Sequence, residues 1–314
     1  MSAKKPIVVV GSINIDLVAV TGKIPAVGET VIGSDFQIHP GGKGANQAVA
    51  VARLGYPVRL IGRVGDDIFG SQLRTHLDNA GVETAGVGTS EGASGVALIA
   101  VSNAGENSII VTPGANSRVT PQDIESNIEI IRRAGIVLAQ LEIPLDTVDH
   151  LASICEREKV PFILDPAPAQ ELAPGIFKKI AWFTPNQIEA ALYSGSNANE
   201  AEAADSIATA GAILSRGCRG VVLKMGSCGV YLASREGFCK FVPALAVETV
   251  DTTAAGDAFN GGFAVGLMLG RSAAESAAFA AAVAAISVTR TGAQPSMPTM
   301  KEVDRFLEDL NGPG

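Results

Sequence analysis

Short apolar runs bounded by turn residues alternate along this chain with longer stretches in which apolar residues recur every three or four positions. The runs at 7–10, 58–61, 136–141, 161–164, 182–184, 221–224 and 230–233 predict buried strands. The stretches at 44–54, 68–80, 121–134, 145–158, 186–192, 200–215, 256–269 and 273–289 predict helices. This alternation argues for an α/β fold, a mostly parallel central sheet covered by helices on both faces. Ligands of such sheets bind beyond the carboxyl ends of the strands. Asn14 and Asp16, Glu142, Asp165, Asn186 and the loop before Gly256 all follow strand-like runs. Residues 17–39 and 95–112 break the rhythm: they favour strands with no helix between, as hairpins at a sheet edge do. Residues 194–206 read as a polar, Ala-rich loop and helix start, and no internal repeat or low-complexity segment is evident.

Composition removes several classes. A chain of 314 residues that is 47% hydrophobic can bury a sizeable core as two small domains or one large one. With only 5% aromatic residues, that core is expected to be Val, Ile, Leu and Ala. A net charge of −8 and no basic cluster longer than a pair such as Lys4-Lys5, Arg132-Arg133 or Lys178-Lys179 disfavour nucleic acid as a partner. The mean hydropathy of +0.28 raises a membrane reading. Yet the most apolar stretch, 277–288, is shorter than the roughly 18 to 20 residues of a span and reads as a buried Ala-rich helix. The run at 7–10 after Lys4-Lys5 is too short for a signal-peptide core and reads as the first buried strand. Cys155, Cys218, Cys228 and Cys239 form no CxxC pair, so neither a zinc nor a disulfide framework is expected and a reducing cytoplasm fits.

The chemistry concentrates in Asp251-Thr252-Thr253-Ala254-Ala255-Gly256-Asp257-Ala258-Phe259-Asn260. Small residues leave the backbone N–H groups uncovered, and from about Ala255 the pattern turns helical through Phe259, Phe263, Leu267 and Met268. A helix N-terminus offers orphan N–H donors and a positive dipole end, where a phosphoryl group can sit. Asp257 in the first turn then stands beside that group as a proton acceptor, or else only complements the helix dipole. No GxxxxGK[ST] run is present, so this is not a P-loop protein, and Gly11-Ser12-Ile13-Asn14 lacks the dinucleotide glycine pattern.

An ordered set of motifs extends over essentially the whole chain: Gly11-Ser12-Ile13-Asn14-Ile15-Asp16, Gly41-Gly42-Lys43-Gly44-Ala45-Asn46-Gln47-Ala48, Gly65-Asp66-Asp67, Gln140-Leu141-Glu142, Thr184-Pro185-Asn186 to Glu189, Gly226-Ser227-Cys228-Gly229 and Gly292-Ala293-Gln294-Pro295-Ser296. With the run at 251–262, this set resembles the ribokinase family of carbohydrate kinases, and the two Gly-rich runs look more like its ribose-phosphorylating members than like the wider superfamily. The resemblance implies a single ribokinase-like domain over 1–314 with a small β lid formed by about 17–39 and 95–112, whose outer face serves as a homodimer contact. It implies ATP-dependent phosphorylation of D-ribose to D-ribose 5-phosphate, the alternatives being another pentose, ketose or nucleoside as substrate, or a sugar-binding regulator without catalysis.

The site residues follow from the same resemblance. Asp257 is the base and the N–H groups of Ala254, Ala255, Gly256 and Asp257 form the anion hole. Asn14 and Asp16, two apart in an extended segment and so on one face, bind the sugar with Gly41, Gly42, Lys43, Asn46 and Glu142. Asp16 as a strand-end cap and Glu142 as a solvated loop acid are the plainer readings. Lys224, Met225, Gly226, Ser227, Cys228 and Gly229 form the nucleotide turn, joined by Asn186, Gly256 and Asp257. Asn186 and Glu189, one helical turn apart, act through Mg²⁺-bound water near the phosphates, although Asn186 also suits a helix cap. Asp251, Thr253, Ser287, Arg290, Gly292 and Ser296 surround an activating K⁺, with Asp251 as a helix N-cap the alternative.

Overall fold

The computed structural model describes residues 4–195 and 206–310, so the first part of the helix expected over 200–215, and most of the loop expected over 194–206, lie outside the described residues. Its main sheet has nine strands: β1 (Ile7–Val10), β4 (Val58–Gly65), β5 (Glu83–Ser90), β8 (Ile136–Ala139), β9 (Phe162–Leu164), β10 (Trp182–Phe183), β11 (Gly220–Lys224), β12 (Val230–Ser234) and β13 (Cys239–Val242). The order is β13-β12-β11-β10-β9-β8-β1-β4-β5, and every pairing is parallel except β11 with β12 and β12 with β13. The α/β class and the parallel sheet are therefore as the sequence pattern predicts.

Period-two geometry explains why the central strands read as unbroken apolar runs. In β1, Ile7 and Val9 belong to one core, while Val8 and Val10 belong to a second core on the opposite face, and all four are fully buried. The first core packs α1 (Lys43–Arg53), α2 (Ile68–Asn79), α8 (Ala255–Met268), α9 (Ala273–Ser287) and α10 (Met300–Leu310). The second packs α3 (Pro121–Ser126), α4 (Ile128–Arg132), α5 (Leu145–Glu158), α6 (Gln187–Ser194) and α7 (Ser206–Ser215). The single helix expected over 121–134 is two helices. Asn127 (φ −107°, ψ 17°) interrupts it, and its side-chain amide donates to the Asp123 carbonyl at 2.8 Å. β5 and β13 escape the apolar-run criterion because β5 is rich in Gly and Thr and β13 exposes three of its four residues.

Residues in the two rhythm-breaking stretches form a separate sheet, ordered β3-β2-β6-β7 from β2 (Asn14–Thr21), β3 (Gly33–Gly41), β6 (Gly95–Ser102) and β7 (Asn107–Thr112). β2 pairs β6 in parallel, and β3 and β7 flank them antiparallel. Leu17, Ile38, Leu98 and Ile110 pair across the four strands in one row, so one face of this sheet is apolar, and Ile38, Leu98 and Ile110 are exposed on it.

Small residues let α8 and α9 approach closely. A Cβ placed on Gly266 would lie 2.8 Å from the Ser276 Cα, a backbone atom that cannot move aside alone. Gly266→Val should therefore wedge the two helices apart and lower unfolding free energy by about 1–3 kcal/mol. Denaturant midpoints at constant slope check this; an unchanged midpoint would show that the helix pair yields without cost.

Candidate active site

Strand β1 pairs β4 on one side and β8 on the other, so the connections leave the carboxyl ends of β1 and β8 in opposite directions and open a crevice there. Ser12, just past β1, donates its hydroxyl to Glu142 Oε2, past β8, at 2.5 Å. The same oxygen accepts the Lys43 backbone N–H at 3.2 Å, and the Ser12 carbonyl accepts that of Ala45 at 2.9 Å. The start of α1 is thus tied to both strand ends. Gly42 precedes it at φ 88°, a left-handed conformation that suits glycine. Glu142 is half-buried: one oxygen anchors α1, and the other has no hydrogen-bond partner among the described residues.

Asn14 and Asp16 share one face of β2, and Gly41 leaves room beside them: a Cβ there would stand 2.2 Å from Asp16 Oδ2. Asn14 is buried and accepts from Asn116 Nδ2 at 2.6 Å, which leaves its own amide N–H groups as donors. Burial, and then the negative charges of Glu142 and Asp257, push the Asp16 carboxyl up to about 6. Burial alone would push the Lys43 ammonium down, but the carboxylates of Asp257, Asp165, Glu142 and Glu189 reverse this and hold it above its ordinary range.

Asp257 lies in the first turn of α8, buried. Its Oδ2 accepts from Asn46 Nδ2 at 3.0 Å and its Oδ1 from Gln47 Nε2 at 3.1 Å. Asn46 is held in turn by Gln294 Nε2 on its Oδ1 at 3.1 Å, which fixes the amide that donates to Asp257. Burial pushes the Asp257 carboxyl up to about 6, with Lys43 pulling the other way. Ahead of the helix, Ala254 adopts φ 58°, a left-handed conformation that costs about 1 kcal/mol in a residue with a Cβ. That turn spends the Ala255 N–H on the Thr252 carbonyl at 3.2 Å. The N–H groups of Ala254, Gly256 and Asp257 make no such bond among the described residues. Three of the four expected anion-hole donors are therefore free, and Ala255 shapes the loop instead.

Beside this helix N-terminus is a cavity of about 570 Å³ lined by Lys224, Gly226, Ser227, Gly229 and Gly256 from the expected nucleotide set. Met225 is buried in the core below it, and Cys228 is exposed but outside the lining. The rest of the lining includes residues with no motif, among them Leu245, Val247, Ala281 and Val288, and Phe259 from the first turns of α8. The irregular, mostly apolar segment at 243–250 was the available signal for that lining. Asn186 and Glu189 form a reciprocal capping box on α6: Asn186 Oδ1 accepts the Glu189 N–H at 2.8 Å, and Glu189 accepts the Asn186 N–H at 2.7 Å. The cap reading of Asn186 is thus realised. Burial, chiefly, raises the Glu189 carboxyl above its usual range.

Asp251 does not cap α8, whose N-cap is Ala254. Its Oδ1 accepts from the Thr253 N–H and hydroxyl at 2.9 and 2.6 Å, and its Oδ2 accepts the Gly292 N–H at 2.8 Å. Although burial opposes it, these bonds hold the Asp251 carboxyl below its usual range. Arg290 N–H donates to the Ser287 carbonyl at 3.2 Å, and the buried Ser296 donates its hydroxyl to the Ala293 carbonyl at 2.7 Å. No hydrogen bond among the described residues ties Ser296 to Asp251.

Residues 4–300 match the model of the pfkB family of carbohydrate kinases. A ribokinase of Bacillus subtilis is 41% identical over 96% of this chain and 99% of its own length. One of Haemophilus influenzae is 39% identical over 97% and 99%. The structure of the Arabidopsis thaliana ribokinase complexed with ribose and ATP superposes with a TM-score of 0.91 at 35% identity, covering 98% of this chain and 99% of that one.

A carboxyl whose folded pKa is raised binds more protons folded than unfolded between the two values. Its ionised form therefore destabilises the fold above about pH 6, and the penalty fades as pH falls towards 4. Asp257→Asn should accordingly be more stable than the parent chain at pH 8, on the order of 1–2 kcal/mol, with the gain vanishing near pH 4. Thermal melting at both pH values checks this; an equal gain at both would show that charge burial is not its cause.

Proposed function

The chain belongs to the pfkB family of carbohydrate kinases, and from that membership we infer that it transfers the γ-phosphoryl group of ATP to ribose, giving ribose 5-phosphate. The observation that carries the assignment of roles is the free N-terminus of α8, with its buried Asp257, between the cradle at Asn14 and Asp16 and the cavity at Lys224 to Gly229.

Transfer needs the acceptor hydroxyl in line, charge stabilisation on the moving oxygens and a place for the hydroxyl proton. Asp16 accepts from vicinal hydroxyls of the sugar and Asn14 donates to it, with Gly41 and Gly42 letting the chain approach and Lys43, Asn46 and Glu142 completing the set. Asp257 takes the proton of the attacking hydroxyl. The N–H groups of Ala254, Gly256 and Asp257 hold the phosphoryl oxygens, a preorganised set of donors at the positive end of a helix. Lys224, Gly226, Ser227 and Gly229 border the nucleotide, with its base against the apolar lining.

A divalent ion accompanies ATP, and Mg²⁺, held through water by Glu189 and Asn186, would neutralise phosphate charge. The buried carboxylate beside Lys224 fits that role. The ionised Asp251, linked by hydrogen bonds to the loops at 253 and 292, fits an oxygen-lined K⁺ site completed by carbonyls of Thr253, Ser287, Arg290 and Gly292 with Ser296. The small sheet acts as a lid over the sugar, and its exposed apolar face, with Phe36, Ile38, Leu98 and Ile110, forms the homodimer contact. No helix of the described residues is long and apolar enough to cross a membrane, and the four free cysteines accord with a reducing cytoplasm.

Asp257→Asn should lower turnover by at least roughly 10²-fold while ribose affinity changes only a few-fold. In the same coupled assay, 2-deoxyribose should fall about tenfold to a hundredfold behind ribose in kcat/KM, the cost of leaving buried site groups unpaired. Near-normal turnover of the variant would remove Asp257 from the mechanism, and a hexose or nucleoside outperforming ribose would overturn the substrate.

Potassium should raise kcat of the parent chain, and Asp251→Ala should abolish that activation. Equal rates in potassium and in a bulky organic cation would reduce Asp251 to a loop tie.

A further inference from the structure

Two buried acids share one amide here. Gln47 Nε2 donates to Asp257 Oδ1 at 3.1 Å and to Asp165 Oδ2 at 3.0 Å, so its two N–H bonds are divided between the carboxylates. Gln47 is fully buried on α1, and Gln140 Nε2 fixes its orientation by donating to its Oε1 at 2.7 Å. Asp165, just past β9, pairs its other oxygen with the Lys224 ammonium at 2.9 Å, their side chains 4% and 13% exposed. Lys224 is also part of the cavity lining beside the free N-terminus of α8. One unbroken chain of contacts therefore runs from that cavity through Lys224, Asp165 and Gln47 to Asp257.

We propose that Gln47 is the positioning residue of the catalytic base, and that the Lys224–Asp165 pair is the link through which the nucleotide cavity sets how readily that base takes a proton. The inference rests on the reading of Asp257 as base. An amide that bridges two carboxylates can neither turn away nor be replaced by solvent in a fully buried site, so it fixes Asp257 Oδ1 relative to the helix N-terminus. The pair works through charge. While Lys224 neutralises Asp165, Asp257 feels little of that neighbouring negative charge. When nucleotide phosphate draws the ammonium to itself, Asp165 is left less compensated and Asp257 becomes a stronger base. Base strength then rises when the phosphoryl donor is in place. The other charged groups facing Asp257 are Lys43 from α1 and Asp16 from β2, with Glu142 and Glu189 further round the same ring of charge.

The test follows kcat at saturating ribose and ATP from about pH 5 to about pH 8, on full-length chains whose thermal melting shows a folded state. Asp165→Asn keeps shape and removes the neighbouring charge, so the acid limb should move down by about one pH unit with KM for ribose within about threefold. Gln47→Met removes a donor to Asp257 and should move the limb up; Lys224→Met uncovers Asp165 before nucleotide binds, so it should raise the limb of kcat/KM for ATP, which reports the enzyme without nucleotide, towards that of kcat, and Lys224→Arg should return it. Where Gln47→Met does not fold, Asp165→Asn and the two Lys224 variants decide. Limbs that stay at the parent position in the folded variants, or that all move the same way, would overturn the coupling even if Asp257→Asn is inactive. An Asp257→Asn variant that turns over normally would instead sink the base reading on which the coupling depends.

Discussion

Everything at this site depends on keeping an ionisable carboxylate buried at the start of a helix. Removing Asp257 from water opposes its charge, and the fold offsets that with the positive end of α8, two side-chain amides and the Lys43 ammonium. The compensation is partial, which is why the group sits near 6 rather than in the ordinary carboxylate range. A fully neutralised acid would be a poor proton acceptor and a fully isolated one would not ionise. The intermediate state suits a base that works near neutral pH.

That requirement explains the position of α1. Its first turn is tied to the ends of β1 and β8 through Ser12 and Glu142, and its next residues, Asn46 and Gln47, present their amides to α8. Because α1 also leaves β3 at Gly41, the small sheet and the main sheet meet at this one helix start. Asn14 and Asp16 of the small sheet and Asp257 on α8 are thereby placed relative to one another by a single rigid element. The helix pair α8 and α9, packed closely at Gly266 and Ser276, supports the other side.

The loop ahead of α8 uses a second device. Ala254 is held in a left-handed conformation, and the resulting turn satisfies the Ala255 N–H internally while leaving its neighbours Ala254, Gly256 and Asp257 with free donors. Asp251 ties this loop to Gly292 across 41 positions of sequence, so the fold itself holds these donors in place.

By itself, the sequence determined the α/β class, the parallel sheet, the strand runs through Val10, Leu138 and Val222, the two strand-only stretches and the placement of Asp16, Asp257 and the Gly226 turn. These are legible because burial on both faces, helical period and glycine-rich turns are local properties written in neighbouring residues. Only the tertiary structure decided which partners the buried amides meet. Gln47, Gln140, Gln294 and Asn116 carry no charge and no periodicity, and their partners lie 93 to 248 positions away. The apolar lining near Leu245 and Val247 belongs to the same class. Each depends on where a distant or non-periodic segment packs, and a hydrogen bond between neutral side chains far apart in sequence leaves no pattern until the chain has folded.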